Sequence, residues 1–347
     1  MAHLALLIAE DAVQRQRFAA GVRSLFSELP ETVLAEANAG PVCCLWAAGA
    51  KAPIDIAYDD ERLAVLIGYA VDDGGCWLTA TQLANAWLAP GGERTAHDGY
   101  HVGVAYDRSR GFTAGGDPLG LFPLYHATLP DGGVIVATTP QAFVCHPDWS
   151  WNIDRTGLAG ILLAHGLLDD RPLLAGGRRV AAGHRLRMAI DGPLRELEVF
   201  RFEDAPAAVG ENFSTVVEQI DSALINAIRR HRPPHDDALL MLSGGLDSRL
   251  VAGCLADEGI SVRAVSLGRH RDYEVRAATL VAERLRLPLE VVSTAPRLDD
   301  FVSCARRAAR FSHLSSAPGA DDFAAGLAIA ATTARFNWSG IPLDWVL

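Results

Sequence analysis

The fold of the second half of the chain is decided by one stretch, Ala238-Leu239-Leu240-Met241-Leu242-Ser243-Gly244-Gly245-Leu246-Asp247-Ser248-Arg249-Leu250-Val251-Ala252. An apolar run of strand length meets a Ser-Gly-Gly turn, and apolar residues then recur at helical spacing. Two adjacent glycines let the backbone turn sharply and approach a ligand closely. The amides of such a turn and of the helix start point at one spot, where the helix dipole favours negative charge. The stretch therefore predicts a phosphate-binding loop between a strand and a helix.

Asp247 indicates that a metal ion accompanies the phosphates. A carboxylate beside bare phosphates is repelled by them, whereas Mg²⁺ prefers carboxylate and phosphate oxygens together. The loop is not of the Walker type, because that motif requires a lysine and none is present here. The alternative is an ordinary strand–turn–helix corner whose glycines only permit the turn.

The run Ser243-Gly244-Gly245-Leu246-Asp247-Ser248 resembles the pyrophosphate-binding loop of the ATP pyrophosphatase superfamily. Members of that superfamily split ATP into AMP and pyrophosphate to activate a substrate. The resemblance implies ATP and Mg²⁺ as cofactors. It also implies that Ser243, Ser248 and the amides of Gly244 and Gly245 bind pyrophosphate, with Asp247 as a metal ligand.

Length and composition restrict the class of protein. The chain has 347 residues, half of them hydrophobic, which predicts two domains with sizeable cores. A formal net charge of −11 argues against a nucleic-acid-binding surface. The six cysteines form no Cys-x-x-Cys pair and are expected to be free thiols in a reducing compartment. No stretch is apolar for long enough to span a membrane, so we expect a soluble, cytoplasmic protein.

Residues 1–202 predict a β-rich domain. Strands are expected at Leu4–Ala9, Arg62–Tyr69, Tyr100–Tyr106, Val134–Thr138 and Leu197–Phe200, with helices at Val13–Leu29, Thr81–Leu88 and Arg155–Leu163. The segment 116–126 contains Asp117-Pro118-Leu119-Gly120, and the segment 180–184 leads into a strand. This order is similar to the N-terminal domain of the asparagine synthetase family, with Ala182 in place of a proline. The resemblance implies the α-β-β-α sandwich of N-terminal-nucleophile (Ntn) amidotransferases.

Position 2 departs from that family. Its glutaminase activity requires a cysteine exposed after removal of the initial methionine, whose α-amine then acts as the base for the thiol. Here the residue is Ala2, followed by His3. A methyl group cannot form a thioester, so we expect no release of ammonia from glutamine.

Residues 203–347 predict an open parallel-sheet domain of the Rossmann-like, adenine nucleotide α-hydrolase type. A linker at 203–208 precedes an amphipathic helix over Phe213–His231, whose buried face is expected to comprise Val216, Val217, Ile220, Leu224, Ile225 and Ile228. Strand and helix then alternate, with strands at 238–242, Val262–Gly268, Leu287–Val292 and Phe336–Gly340 and helices at Tyr273–Leu285, Phe301–Phe311 and Asp322–Ala334. Ligands bind such sheets at the carboxyl ends of the strands.

The asparagine synthetase family implies further nucleotide contacts. They are Leu242, Leu267 and Gly268 beside adenosine, and a second loop at Ser339-Gly340-Ile341-Pro342-Leu343-Asp344 that supplies Asp344 as the second metal ligand. The family often carries an acidic residue where Glu274 stands, although a solvated helix start explains Glu274 equally well.

The chain resembles only part of a typical family member, because the family's catalytic lysine is expected beyond Leu347 and the only lysine is Lys51. The domain is therefore expected to be incomplete, with a partner protein or a missing C-terminal segment completing it. The main interpretation is an ATP-dependent carboxylate–amine ligase that uses no glutamine and acts on a small-molecule or peptide carboxylate, like β-lactam synthetases and lasso-peptide cyclases. The alternatives are an asparagine synthetase relative that hydrolyses glutamine, and a non-catalytic ATP-binding protein.

Overall fold

The computed structural model describes residues 2–29, 31–164, 166–190, 192–202, 212–234, 238–293, 302–303, 306 and 336–339. The described residues up to Phe202, together with Arg306, form one compact unit, and the other described residues form a second. Gly340 and Asp344 lie outside the described residues. So does almost all of the two helices predicted over 301–311 and 322–334.

The described part of the first unit contains three α-helices, two short 3₁₀ helices and twelve strands. The helices are α1 (Ala12–Phe26), α2 (Ala80–Leu88) and α3 (Arg155–Ala164), and the 3₁₀ helices are Gly92–Arg94 and Pro140–Cys145. The strands are β1 (Ala2–Ile8), β2 (Thr32–Ala39), β3 (Val42–Gly49), β4 (Ile54–Tyr58), β5 (Arg62–Val71), β6 (Asp98–Asp107), β7 (Gly111–Gly116), β8 (Tyr125–Thr128), β9 (Val134–Ala137), β10 (Arg178–Arg179), β11 (His184–Met188) and β12 (Arg195–Glu198).

These strands form two six-stranded sheets. The first has the order β10-β8-β9-β1-β3-β2 and the second the order β12-β11-β7-β6-β5-β4. Neighbouring strands in both sheets are antiparallel. Short hairpin connections join several neighbours, such as β2 to β3 and β6 to β7, as is usual for antiparallel sheets.

Three apolar layers hold the first unit together. On β1, Leu4 and Leu6 face the second sheet, whereas Ala5 and Leu7 face α1, because side chains alternate along a strand. Phe18 and other residues of α1 cover the outer face of the first sheet. Trp87 and other residues of α2 cover the outer face of the second sheet. The layer order is therefore helix, sheet, sheet, helix, which confirms the predicted α-β-β-α sandwich.

Most predicted elements of this unit are present, but several strands were not predicted. The sequence analysis gave no bounds for β2, β3, β4, β7, β8 or β10. The strand predicted at Leu197–Phe200 begins two residues earlier, at Arg195. Val199 and Phe200 instead donate their backbone N–H groups to the Gly183 carbonyl, at 2.8 and 3.0 Å, and this contact ends the ladder.

The second unit contains a parallel sheet. Its described elements are α4 (Phe213–Arg230), β13 (Ala238–Met241), α5 (Leu246–Asp257), β14 (Arg263–Leu267), α6 (Tyr273–Leu285), β15 (Leu289–Val292) and β16 (Phe336–Trp338). The strand order is β15-β14-β13-β16, and each neighbouring pair is parallel. This confirms the predicted open parallel sheet.

The predicted buried face of α4 is wrong for the first half of the helix. Only Ile228 of that face is buried; Val216, Leu224 and Ile225 are partly exposed, and Val217 and Ile220 are exposed. The apolar periodicity identifies the face of a helix but not the element that covers it. In the described residues, the core of this unit reaches α4 only over Leu224–Ile228.

Across the described ranges, each helix is too short or too polar to span a lipid bilayer.

His101 is a buried histidine beneath α2. It lies on β6 with its ring centroid 6.2 Å from that of Trp87, and no protein hydrogen bond satisfies either ring nitrogen. Burial, assisted by His97 and Arg185, lowers the pKa of His101 to about 3. The guanidinium of Arg185 stacks over Trp87, with its Cζ 3.9 Å from the ring centroid, and donates to the carbonyls of Gly92 and Thr95. His101 is therefore neutral in the folded protein near neutral pH.

We predict that His101 makes the first unit acid-labile. Because its folded-state pKa lies below the unfolded value near 6.5, its contribution to stability is complete above pH 6.5. It falls by about 1.4 kcal/mol per pH unit as the pH drops from 6.5 towards 3. His101→Leu should reduce this slope, whereas exposed His270→Gln should not. Urea unfolding can be followed by fluorescence, since five of the seven tryptophans lie in residues 1–202. Equal slopes in the wild type and His101→Leu would contradict the assignment.

Candidate functional site

The sequence-predicted loops meet at one edge of the parallel sheet. Ser243 follows β13, Gly268 follows β14 and Ser339 follows β16, and these three strands are parallel neighbours. Leu240 pairs with Trp338, and Met241 pairs with Val265, so the three strands end at similar heights. The structure thus brings the carboxyl ends of these strands together at the edge where ligands bind in open parallel sheets.

Ser248 closes the loop between β13 and α5. Its hydroxyl accepts the backbone N–H of Ser243 at 3.1 Å and lies 3.0 Å from the Ser243 hydroxyl. The Ser243 and Gly245 carbonyls lie 3.3 and 3.4 Å from the same oxygen, within its reach as a donor. The Ser243 hydroxyl in turn accepts the N–H of Gly245 at 3.1 Å. Ser248 is buried, so its hydroxyl contacts loop atoms rather than solvent.

Glycine is favoured at position 244 because the loop packs directly on α6. A Cβ at Gly244 would lie 3.1 Å from the Cα of Glu274 and 3.2 Å from the Cβ of Ala277. The neighbour at 3.1 Å is backbone and cannot rotate away. The absence of a side chain at Gly244 therefore allows the loop to lie against the first turn of α6, which places Glu274 beside the loop.

The two helices that begin at this edge have no side-chain cap. At α5 the N-cap is Gly245, and at α6 the N-cap Asp272 makes no capping hydrogen bond. The four other α-helices whose starts the structure describes each begin with a side chain that accepts a first-turn or nearby N–H, from Asp11, Thr79, Asp154 and Asn212. Uncapped first-turn N–H groups need another acceptor, and an anion at the positive end of the dipole supplies one. This edge is therefore suited to bind an anion.

Asp272 holds the turn after β14 rather than capping α6. Its carboxylate accepts the N–H of Arg269 at 2.8 Å and lies 3.5 Å from the Arg269 Nε, and the backbone hydrogen bond is the main reason that its pKa is lowered. Gly268 has a φ of +130°, and a Cβ there would lie 3.0 Å from this carboxylate. The sequence analysis identified Gly268 but not Asp272. The sequence feature that could have identified Asp272 is an acidic residue at the start of a predicted helix.

The predicted metal ligands are only partly described. Asp247 is half-buried in the first turn of α5, the helix that begins at this sheet edge. Among the described residues no group of three or more His, Cys, Asp or Glu side chains is placed to hold a metal ion. Mg²⁺ is usually bound by one or two carboxylates together with substrate phosphates. A single carboxylate beside a phosphate-binding loop therefore fits that ion.

The remaining predicted contacts lie around the same edge. Leu242 is buried and donates its N–H to the Val265 carbonyl at 2.9 Å, which fixes the start of the loop. Leu267 is the last residue of β14 and is half-buried, as is Ser339. Arg249, which the sequence analysis did not single out, donates its Nε to the Gly245 carbonyl at 3.0 Å.

In the first unit, the predicted motif residues form a structural corner. Asp117 is buried, and its carboxylate accepts the N–H groups of Leu119, Leu121 and Phe122 at 3.0–3.1 Å. Burial outweighs these bonds and raises the pKa of Asp117. Gly120 packs against Ala182, since a Cβ at Gly120 would lie 3.2 Å from the Ala182 Cα. The structure thus joins the two segments, 116–126 and 180–184, that the sequence analysis singled out.

Family comparisons match both units. Residues 83–197 match the model of a glutamine amidotransferase domain, and residues 219–335 match the model of asparagine synthase. The chain belongs to the asparagine synthetase family. The asparagine synthase domain, which contains the Ser-Gly-Gly loop, supports an amide-forming ligase that joins carbon to nitrogen. No curated protein matches the chain significantly.

Within this asparagine synthetase family member, we predict that Ser248→Ala loosens the loop. The change leaves the Ser243 N–H without its acceptor, which costs about 1–3 kcal/mol of local stability. Hydrogen exchange of the amides in 243–248 should accelerate roughly five- to a hundredfold. Ser222→Ala, an exposed serine of α4, is the matched control and should leave that exchange unchanged. Exchange by mass spectrometry that is equal in the two variants would show that Ser248 does not close the loop.

Proposed function

We propose that this protein is an ATP-dependent carboxylate–amine ligase that forms an amide without using glutamine. The observation that carries the proposal is the Ser243–Ser248 loop. The hydroxyls of Ser243 and Ser248 hydrogen-bond within the loop, and the loop lies beside the starts of α5 and α6, neither of which has a side-chain cap. Such a site binds an extended anion through backbone N–H groups. In the asparagine synthetase family, that anion is the polyphosphate of ATP.

The placement of the residues supports the proposed contacts. Gly244, Gly245 and the first-turn amides of α5 bind pyrophosphate oxygens, and Ser243 and Ser248 form the rest of that loop. Leu242, Leu267 and Gly268 lie along the neighbouring strand ends on the adenosine side. Ser339 and Gly340 belong to the second loop, of which Ser339 is described.

Asp247 is proposed as a Mg²⁺ ligand, together with Asp344, which lies outside the described residues. When bound, Mg²⁺ neutralises charge on the phosphates and polarises them. The protein then contributes mainly by positioning, because phosphoryl chemistry of this kind leaves little covalent work to side chains.

The proposed reaction has two steps. A carboxylate oxygen of the substrate forms a bond to the α-phosphorus of ATP, and the bond to pyrophosphate breaks. An amine then forms a bond to the carbonyl carbon, the bond to AMP breaks, and the amine loses a proton. The loop serves the first step, since it holds the leaving pyrophosphate in place and stabilises its charge.

Glutamine independence is proposed from the residue at position 2. Ala2 pairs with Ala48 at the start of β1, and its methyl group cannot act as a nucleophile. Cys43 and Cys44 pair with Leu7 and Leu6, near the other end of the strand. Burial raises the pKa of Cys43 to about 11 and raises that of Cys44 as well, so neither supplies a thiolate. We therefore propose that the amine belongs to the substrate and that the product is a lactam or macrolactam.

We predict that the chain catalyses exchange between ATP and labelled pyrophosphate in the presence of Mg²⁺ and a suitable carboxylate. Aspartate, glutamate and peptides with side-chain carboxylates form the first panel. Asp247→Asn should lower the exchange rate about 100-fold or more, because loss of a metal ligand removes several kcal/mol of charge stabilisation. Asp257→Asn, exposed at the other end of α5, should leave the rate unchanged. A rate that is equal in the two variants would contradict the metal assignment, and no exchange with any carboxylate would contradict the proposed activation step.

We also predict that the protein releases no ammonia from glutamine. The measurement is a coupled ammonia assay on the full chain at saturating glutamine, with heat-treated protein as the blank. The expected rate equals the blank, because neither Ala2 nor the buried thiols offer a nucleophile. Release above the blank would favour the glutamine-hydrolysing alternative.

A further inference from the structure

A cavity of about 760 Å³ lies in the first unit, at the end of β1 that is opposite Ala2. It is lined by Ile8 at the end of that strand, by the turns around Gly40 and Gly132, and by Tyr106. Because each strand residue advances the chain by about 3.3 Å, this end lies about 20 Å along β1 from position 2. Pockets for small molecules usually have volumes of about 300–1,000 Å³. The cavity is therefore large enough for a small organic ligand.

Tyr106 is the residue that points to a ligand in this cavity. Its ring packs in the core between the two sheets, and the residue is only 7 % exposed. Its hydroxyl reaches the cavity at Gly40, because a Cβ on that glycine would lie 2.8 Å from the hydroxyl oxygen. In the part of the chain that the structure describes, no protein group forms a hydrogen bond with this hydroxyl. Since a buried hydroxyl without a partner is costly, its partner must be a molecule in the cavity.

Charged side chains of both signs surround the same cavity. Three carboxylates and two guanidinium groups contribute to the lining: Glu10, Asp11, Asp131, Arg15 and Arg108. Among the described residues, no ion pair joins any of these carboxylates to either guanidinium, and Arg108 instead lies 3.5 Å from Glu61, outside the lining. Burial raises the pKa of Tyr106, while Arg108 opposes this effect and Glu10 adds to it, so both charges act on the hydroxyl.

Glu10 and Arg15 are the charged groups best able to bind a ligand. The carboxylate of Glu10 makes no hydrogen bond in the described ranges, whereas Asp11 and Asp131 already accept N–H groups of the protein. One terminal nitrogen of Arg15 donates to the two backbone carbonyls that follow β1. These bonds hold the half-buried guanidinium in place, and its Nε and second terminal nitrogen remain available as donors.

The chemistry of the lining selects the class of ligand. Unpaired charges of opposite sign complement a ligand that carries both signs, and they disfavour a ligand that carries only one. Between these charges the lining is apolar, with side chains of Ile8, Pro41, Met188 and Ala189. An α-amino acid with an apolar side chain has this combination of groups, and so does a short apolar peptide with free termini.

We propose that this cavity binds a zwitterion with an apolar body, either a free α-amino acid or a short peptide with free termini. The ammonium group of the ligand contacts the Glu10 carboxylate and the Tyr106 hydroxyl, and its carboxylate contacts Arg15. The site is independent of the proposed ligase activity, because no residue of the Ser243–Ser248 loop takes part in it.

The test measures binding of leucine and of leucyl-leucine to the full chain by titration calorimetry. N-acetyl-leucyl-leucine amide, whose ends carry no charge, is the matched ligand. At least one of the two zwitterions should bind, and the neutral peptide should bind about tenfold more weakly or worse, because it lacks the charge-assisted contacts. Tighter binding of leucyl-leucine would identify a peptide as the ligand, and tighter binding of leucine would identify a free amino acid.

Two variants test the named contacts. Tyr106→Phe removes only the hydroxyl and should weaken binding of the zwitterion about five- to tenfold. It should not lower the melting temperature of the unliganded protein, because the hydroxyl has no protein partner to lose. Glu10→Gln should weaken binding about tenfold or more. The controls are Tyr273→Phe and Glu218→Gln, which change exposed side chains of the second unit and should bind like the wild type.

Several results would overturn the proposal. It is wrong if neither leucine nor leucyl-leucine binds the wild type, or if the neutral peptide binds as tightly as they do. It is also wrong if Tyr106→Phe binds the zwitterion as the wild type does. An equal loss in Glu10→Gln and Glu218→Gln would show an effect of net charge alone and would equally exclude the site. None of these outcomes bears on pyrophosphate exchange, so the two proposals fail separately.

Discussion

The rest of the candidate site depends on the hydrogen bonds that the Ser248 hydroxyl makes within the loop. That hydroxyl fixes Ser243, whose own hydroxyl fixes Gly245, so a four-residue turn is held without any help from a ligand. The turn must fit between the end of β13 and the start of α5. It also lies against α6, where a Cβ at position 244 would be tightly crowded by Glu274 and Ala277. Once these conditions are met, the amides of the helix start are left facing outwards. Preorganisation of this kind reduces the ordering cost of binding.

The two units differ in how their sheets are covered and in where their polar residues lie. The first is a sandwich with apolar layers between its sheets and under its helices. Its central strands, such as β1 and β3, are therefore mostly apolar, whereas edge strands such as β4 and β12 are largely exposed. Its loops contain polar corners such as the one around Asp117. In the second unit, the described sheet has four short strands, and the candidate site lies where three of those strands end. Membership of the asparagine synthetase family explains why both are present in one chain.

Local patterns predicted much of this structure. The helix expected over Tyr273–Leu285 has the same bounds as α6, and the strand, turn and helix expected over 238–252 are present, with β13 and α5 on either side of the turn. Contacts that depend on distant residues could not be predicted in this way. The sequence of α4 shows which face is apolar, but it does not show that Val217 and Ile220 are uncovered. Side-chain direction is equally hidden: nothing in the sequence indicates that Arg249 turns back to Gly245 or that Asp272 turns away from its own helix.

The position of Ala2 has an evolutionary consequence. Its methyl group stands half-exposed at the margin of the layer between the sheets, whereas Leu4, Leu6 and Ile8 of the same strand form the interior. The side chain at position 2 therefore contributes little to the folding free energy of the sandwich. A lineage can therefore exchange the residue there, and with it the reactivity of that position, at little cost to the fold. Under the proposed function, a former catalytic scaffold persists in this way as a folded module that remains open to new uses.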